Sequence, residues 1–191
     1  NKDFRKVAGD LYNGEQGYNS YNVEEAKKLW AEAKQELGID KLELELMLFQ
    51  AETSNSIGTH LKNEWEKNLD GFTLVLKPLP FSEKIGRANR GDYELDFAGW
   101  SPDFPDAVTF LDMWITNGGH NNTGYSNPEY DKIITAVKSG DLTAVDKVKE
   151  RFEVMVQAEK IMLEDDQVIL PLYQRGRTGL RDPKLSGWKL Q

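Results

Sequence analysis

Residues 91–114 read GDYELDFAGWSPDFPDAVTFLDMW, and the fold expected for this chain is organised around them. Apolar and acidic residues alternate over residues 93–97, and this alternation predicts a half-buried β-strand. One face of the strand is expected to carry the apolar side chains Tyr93, Leu95 and Phe97. The opposite face would carry Glu94 and Asp96.

A proline-containing loop follows this strand. Ala98 and Gly99 are small enough to let another backbone approach closely. Pro102 and Pro105 forbid a helix and bias the residue before each of them to an extended conformation. An extended backbone with carboxylates and aromatic rings at the end of a strand predicts a ligand site.

The composition is that of a folded globular domain. A chain of 191 residues can bury a core as one domain. Its 39% hydrophobic and 10% aromatic residues exclude a disordered chain. The net charge of −8 argues against nucleic acid as a partner, because phosphate binding needs a basic face.

The sequence has no cysteine, so neither a disulfide framework nor a thiolate metal site can form. This fits an exported bacterial protein and a cytosolic one equally well. No apolar run approaches the roughly 18 residues of a membrane span, and no signal peptide is recognised. The first residue is Asn1 rather than methionine, so a processed protein or a fragment of a longer one is expected.

The first part of the chain predicts helices and a strand–helix–strand unit. Residues 1–21 are turn-rich, and then Asn22 with Glu25 forms a capping box for an amphipathic helix that ends at Gly38. Residues 42–49 and 72–79 are expected to form parallel strands with a right-handed crossover. The helix between them is expected to follow a capping loop at residues 53–56 and to bury the stripe Ile57, Leu61, Trp65 and Leu69.

The second part of the chain is predicted to be mainly helical. Short helices are expected at residues 82–90 and 108–115, and Asn127–Pro128 is a strong helix start. A longer helix from Asp141 or Thr143 would point Val145 and the apolar residues after it inward. Residues 168–173 predict a last strand, which Pro171 restricts to an edge or a strand end.

No pattern of catalytic residues is found. His60 and His120 have no partner at metal-ligand spacing, no serine lies in a nucleophile elbow, and there is no glycine-rich phosphate loop. Asp103 and Asp106 could be imagined as the carboxylate pair of a glycosidase. Aspartates that cap turns are far more common in such loops, so we expect no enzyme.

Several motifs together resemble the oligopeptide- and dipeptide-binding proteins of bacterial ABC importers, most of all the Gram-positive oligopeptide- and pheromone-binding lipoproteins. The motifs are Asp92-Tyr93-Glu94-Leu95, Ala98-Gly99-Trp100, Pro102-Asp103-Phe104-Pro105-Asp106, Phe110-Leu111, Trp114 and residues 122–131. The order of the predicted helices and strands agrees with the same family. The resemblance therefore covers nearly the whole chain.

The resemblance implies an α/β fold, namely one lobe of a type II periplasmic-binding-protein-like fold with a mixed sheet flanked by helices. Residues 1–191 would form a single domain, the C-terminal lobe of a two-lobe receptor whose N-terminal lobe is absent. The receptor would be extracytoplasmic, either a cell-surface lipoprotein or periplasmic, and monomeric. It would need no cofactor or metal. Its partners would be an oligopeptide, the N-terminal lobe and a membrane permease.

The resemblance also assigns candidate ligand-binding residues. Asp103 corresponds to the carboxylate that binds the α-amino group of a peptide, although a turn-capping role is the alternative. The segment that would pair with the peptide main chain consists of Ala98, Gly99, Trp100 and Ser101. Trp100 could equally be a core aromatic residue, and Phe104 and Tyr125 are candidate contacts that more often serve packing. The same fold could instead receive an oligosaccharide, a nickel complex or haem.

Overall fold

Helix α1, Val23–Leu37, begins and ends where the sequence predicts. The computed structural model describes Phe4, residues 20–176 and Lys184, so the prediction for residues 1–21 lies almost wholly outside the described residues. The Asn22 side chain accepts a hydrogen bond from the Glu25 N–H at 3.0 Å. Gly38 ends the helix in the left-handed conformation, with φ of 66°. The N-cap and the C-cap are therefore confirmed, but the Glu25 carboxylate binds Lys28 and does not complete the predicted capping box.

Among the described residues, Trp30 and Lys34 of helix α1 both bind Asp70. The indole N–H donates to the Asp70 carbonyl oxygen at 2.8 Å, and the ring meets Phe72 edge-on at 5.7 Å. Leu37 falls on the apolar face of the helical pattern but is 63% exposed. It is the last residue of the helix, beyond the contact that Trp30 makes. The amphipathic pattern therefore predicts more buried residues on helix α1 than the structure shows.

The predicted strand–helix–strand unit is confirmed. Strand β1 spans Leu42–Phe49, helix α2 spans Glu52–Asn68 and strand β2 spans Phe72–Leu79. The two strands pair in parallel over their whole length. The core on the α2 side is formed by the buried residues Leu46, Leu48, Phe72 and Leu74, with Leu42, Leu44, Leu61, Trp65 and Leu69 packed against them.

Helix α2 differs from the sequence prediction at its start. Residues 53–56, which were expected to be a capping loop, form its first turns, and Ala51 caps the helix without any side-chain hydrogen bond. Gly58 is the buried residue of α2, and a Cβ there would meet Leu48 and Leu76 side chains at 3.3 Å. The absence of a side chain at Gly58 therefore lets α2 lie close on the sheet.

Helix α3, Phe81–Ala88, precedes the strand that was expected to organise the fold. This strand, β3, covers only Leu95–Asp96, and it pairs with β1 in parallel to give the order β2-β1-β3. No pairing among these three strands is antiparallel, so the α/β class is confirmed but the mixed sheet is not seen in the part of the chain that the structure describes. Tyr93 precedes the strand and packs near Met47, away from the face used by Leu95 and Phe97.

The second half of the chain forms a helical layer with its own core. Helix α4, Val108–Leu111, continues into a 3₁₀ turn, helix α5 spans Pro128–Lys138, and helix α6 spans Val148–Lys160 before a π-helical turn, Ile161–Asp165. Asn127 caps α5 by accepting from the Glu129 N–H at 2.9 Å, as predicted. The core of this layer consists of Val108, Leu111, Tyr130, Ile134, Val137, Met155, Ala158, Met162 and Leu163.

Two predictions for this half are wrong. Two short 3₁₀ turns precede α6, and Val145 in the second of them is 91% exposed instead of facing the core. Residues 168–173 form no strand, and Leu170 and Tyr173 are 62% and 58% exposed. An apolar segment becomes a strand only when another strand offers hydrogen bonds, and none does so for this segment within residues 20–176.

Candidate functional site

The candidate segment leaves the sheet at the carboxyl end of β3. The Phe97 N–H still donates to the Met47 carbonyl oxygen at 2.8 Å. Beyond it, the backbone of residues 98–102 makes no hydrogen bond to any described residue. Ala98, Gly99 and Ser101 are exposed, and a Cβ placed on Gly99 would meet nothing within 4 Å. The main chain of this segment therefore faces open space with its donors and acceptors unpaired.

Trp100 is held on two sides. Its indole N–H donates to the hydroxyl oxygen of Thr109 at 3.3 Å. Its ring lies 4.9 Å from the His120 ring, centroid to centroid, with the planes tilted by 58°. Trp100 is partly buried, while His120 is exposed. The indole therefore forms part of the wall next to the open segment, not part of a closed core.

Asp103 and Asp106 have different environments although they are three residues apart. The Asp106 carboxylate accepts a hydrogen bond from the Val108 N–H at 2.9 Å. It also accepts hydrogen bonds from Nη1 and Nη2 of Arg151, at 2.7 and 3.1 Å. The Asp103 carboxylate is exposed and has no hydrogen bond or ion pair with any residue in the described ranges. Asp106 is thus a structural residue, because it starts α4 and ties it to α6. Asp103 does not cap a turn with its side chain.

Phe104 and Tyr125 are not brought together. Phe104 is 48% exposed beside Asp103. Tyr125 donates its hydroxyl to Asp166 at 2.6 Å and meets Tyr130 edge-on at 5.7 Å. Burial and the Asp166 hydrogen bond raise the pKa of the Tyr125 phenol well above its usual range. The described contacts of Tyr125 therefore bind it to the helical layer and not to residues 98–104.

Asn121 organises the polar loop that carries His120, a role that the sequence did not reveal. Its amide nitrogen donates to the carbonyl oxygens of Ile115 at 3.0 Å and Tyr125 at 2.8 Å. Its amide oxygen accepts from the Thr123 hydroxyl at 2.8 Å. Asparagine is common in turns because its side chain can replace backbone partners in this way. The loop that presents His120 to Trp100 is therefore fixed from within.

A buried ion pair supports the start of the candidate segment. Lys84 of α3 is 1% exposed and its ammonium group binds the carboxylate of Asp96, whose side chain is 15% exposed. The same ammonium group lies 4.3 Å from the centre of the Phe49 ring. Asp96 is the last residue of β3, so this pair fixes the strand just before the unpaired backbone begins. No local sequence signal predicts it, because the partners are 12 residues apart on different elements.

A second open region lies at the carboxyl end of β1. This groove is lined by Gln50, Ala51, Glu52, Asn55, Ser56 and Thr59. Ligands of open parallel sheets characteristically bind outside the carboxyl ends of the strands. The groove and the unpaired segment after β3 both lie at such ends. This edge of the sheet is therefore the candidate site.

Metal-ligand clusters and membrane-spanning helices do not occur among the described residues. No cluster of three or more His, Cys, Asp or Glu side chains there could hold a metal ion. His60 and His120 are both exposed and are not near each other in sequence. No described helix has the length and apolar character needed to cross a membrane.

The chain is similar to known solute-binding proteins. Residues 6–122 match the family model described as bacterial extracellular solute-binding proteins, family 5 Middle. The dipeptide-binding protein of Lactococcus lactis is 29% identical over 170 residues, which cover 88% of this chain and 30% of that protein. The oligopeptide-binding protein OppA of Bacillus subtilis is 29% identical over 180 residues, or 92% of this chain and 32% of that protein.

Solved structures show the same relationship. The peptide-bound OppA of Listeria monocytogenes has 35% sequence identity and a TM-score of 0.77, covering 91% of this chain and 30% of that one. The substrate-binding domain of an oligopeptide ABC transporter from Bacillus anthracis has 34% identity and a TM-score of 0.80. This chain covers 32% of that structure, so it spans about a third of the length of these relatives. The resemblance seen in the sequence is confirmed: the chain belongs to family 5 of the bacterial extracellular solute-binding proteins.

Proposed function

We propose that this chain is the C-terminal lobe of an oligopeptide-binding receptor that delivers its ligand to an ABC importer. Several relatives are named as oligopeptide- or dipeptide-binding proteins, and one solved relative is OppA of Haemophilus influenzae in complex with the peptide RPPGFSPFR. The span of about a third of such proteins supports a lobe, residues 1–191, that closes against an N-terminal lobe. The ligand would lie between the two lobes.

The observation that carries this proposal is the backbone of residues 98–101, which makes no hydrogen bond to the described residues, next to the Asp103 carboxylate, which has no partner among them. All peptides share a main chain and, unless blocked, a cationic α-amino group. An extended peptide can add to the open segment as a strand, and a carboxylate can bind its amine through charge-assisted hydrogen bonds. A receptor built in this way accepts many peptide sequences, because it contacts what they have in common.

The neighbouring aromatic residues would shape the site. Trp100 borders the open segment and offers a flat apolar wall, and Phe104 is exposed beside Asp103. Tyr125 would act through packing, since its hydroxyl is already bound to Asp166. A peptide side chain beside Trp100 would meet a surface and not a closed pocket, which fits a receptor of broad specificity.

The receptor would act outside the cytoplasm, on a lipid anchor at the cell surface or in the periplasm, and it would be a monomer that docks on a membrane permease. It would catalyse no reaction and require no cofactor. The alternative ligands of the same fold are an oligosaccharide, a nickel complex or haem. A neutral sugar would leave the Asp103 charge unused, so a peptide amine fits this segment better.

The experiment that tests this function uses the full-length protein. A peptide is first selected from a tryptic digest of casein by mass spectrometry of the material that the wild-type protein retains. It is then synthesised with a free and with an acetylated N-terminus. Asp103→Asn should weaken binding of the free-amine form by roughly 2–5 kcal/mol, measured by titration calorimetry. The acetylated form lacks the cation and should lose far less.

Asp146→Asn is the matched control, because Asp146 is exposed and has no described ion pair. This substitution changes the net charge by the same amount as Asp103→Asn. It should leave both affinities unchanged. Equal losses for the two peptide forms in Asp103→Asn would show that Asp103 does not bind the amine. Failure of the wild-type protein to retain any peptide, together with a thermal shift caused by a sugar, nickel or haem, would replace the peptide proposal.

A further inference from the structure

Thr109 is a buried polar residue directly beneath the candidate segment. It is the second residue of α4, only 1% exposed, between the core residues Val108 and Leu111. A buried hydroxyl group costs free energy unless it forms hydrogen bonds. A valine would fill the same volume without that cost. The presence of a threonine at this buried position therefore needs a structural explanation.

The hydrogen bonds of the Thr109 side chain explain why a threonine is buried here. Its hydroxyl oxygen accepts from the indole N–H of Trp100 at 3.3 Å and from the backbone N–H of Asp103 at 3.3 Å. A hydroxyl oxygen has two acceptor lone pairs, so one atom can hold both donors. The residues on either side of the sequence Ser101-Pro102 are thereby tied to one point.

That point is rigid. Threonine is β-branched and has few χ1 rotamers, and burial at position 109 restricts it further. Helix α4 is itself fixed, because Asp106 at its start is bound by both nitrogens of the Arg151 fork. The path from α6 through α4 to the Thr109 hydroxyl group thus runs through the Arg151 and Asp106 side chains, which are only 15% and 27% exposed.

We infer that Thr109 is a positioning residue of the ligand site. It sets the Trp100 ring and the Asp103 backbone before the ligand arrives, so that the Asp103 carboxylate and the open main chain keep the spacing that an extended peptide requires. Thr109 itself does not touch the ligand. Ordering these groups in advance removes a cost that binding would otherwise carry. This inference rests on the proposed function.

The test replaces the hydroxyl group without changing the volume. In the full-length protein, Thr109→Val removes both hydrogen bonds, and Thr109→Ser retains the hydroxyl group. Thr73→Val is the matched control, since Thr73 is an exposed threonine of β2 with no side-chain hydrogen bond among the described contacts. The first measurement is the indole N–H resonance of Trp100 in the ligand-free protein, labelled with ¹⁵N-tryptophan and assigned with Trp100→Phe.

Thr109→Val should shift this resonance and speed its exchange with water, whereas Thr109→Ser and Thr73→Val should leave it near its wild-type position. The second measurement is the affinity for the free-amine peptide selected from casein, which Thr109→Val should weaken about tenfold through the lost preorganisation. Thr109→Ser should restore most of that affinity.

An unchanged Trp100 resonance in Thr109→Val would overturn the inference. So would a loss of affinity in Thr109→Ser as large as in Thr109→Val, because the hydroxyl group would then be irrelevant. If the wild-type protein retains no peptide, the proposed function fails. The ligand-free resonance still decides in that case whether Thr109 holds Trp100, so the two failures are distinguishable.

Discussion

The Lys84–Asp96 pair offers the sharpest test of how the sheet edge is stabilised. Lys84 is 1% exposed, and its partner side chain, Asp96, is 15% exposed. Removing one member of a buried ion pair leaves an uncompensated charge and typically costs about 3–5 kcal/mol. Lys84→Met leaves a carboxylate that some water can reach, and it also loses the contact with the Phe49 ring. We expect a loss near the lower end of that range, about 3 kcal/mol of the free energy of unfolding.

Asp96→Asn should cost more than Lys84→Met, about 4–5 kcal/mol, because the stranded ammonium group lies almost entirely out of water. The double variant removes both charges. Replacing a buried ion pair by neutral groups is often close to neutral, so this variant should lose only about 1–2 kcal/mol, most of it from the asparagine amide. The double variant should therefore be more stable than either single variant.

Urea unfolding of the 191-residue chain, followed by far-ultraviolet circular dichroism, measures these differences. Lys138→Met is the control, since the Lys138–Asp112 pair at 2.7 Å is 45% and 25% exposed at its two side chains. It should cost less than about 1 kcal/mol. Additive losses in the Lys84 and Asp96 variants, or a Lys84→Met loss as small as the control, would refute the argument.

Two further predictions concern a turn and a pH dependence. Gly71→Ala should destabilise by about 2–3 kcal/mol, because φ there is +79° and a Cβ would lie 2.4 Å from the Asp40 carbonyl oxygen. Gly38→Ala, with φ of +66° but no atom within 4 Å, should cost about 1 kcal/mol, and equal losses in urea unfolding would contradict this reasoning. The Tyr125 hydrogen bond is the main reason why the pKa of Asp166 lies below the ordinary 3.8. Because the pKa of Asp166 is lower in the folded protein, its carboxylate stabilises the fold above the ordinary pKa, and this contribution is lost as the pH falls through the folded pKa. Between about pH 5 and 2, the free energy of unfolding should therefore fall further in the wild type than in Tyr125→Phe. Parallel dependences of this free energy on pH in the two proteins would contradict the prediction.

The parts of the fold that local chemistry determines were predictable from the sequence. Asn22 and Gly38 cap α1, and Asn127 caps α5, because capping needs only side chains and backbone within a few residues. The position of β1 was predictable from its sequence, but the burial of both its faces, with Leu46 and Leu48 in one cluster and Met47 in another, was not. Asp103 was singled out by the resemblance to the peptide-binding family, and its role stays a prediction, because Asp106 lies in the same proline-containing loop and no local signal separates the two.

The parts that depend on distant partners were not predictable. The strand at residues 93–97 shrinks to β3 because its length is set by where β1 offers hydrogen bonds, at Leu46 and Met47. Residues 168–173 are a continuous apolar run typical of a buried strand, but they have no strand partner among the described residues. Thr109 and Lys84 matter through contacts that link separate elements, so neither shows a periodic or local signal.

The unpaired backbone after β3 has a consequence for how this protein tolerates sequence change. If residues 98–101 contact a peptide only through main-chain groups, the side chains at Ala98 and Ser101 are free to vary without loss of the contact. Proline is the exception, because it alone removes a backbone donor. Substitutions in this segment would then change the side chains around the ligand, while the main-chain contacts that hold a peptide would remain. A receptor organised in this way can acquire new preferences without passing through an inactive intermediate.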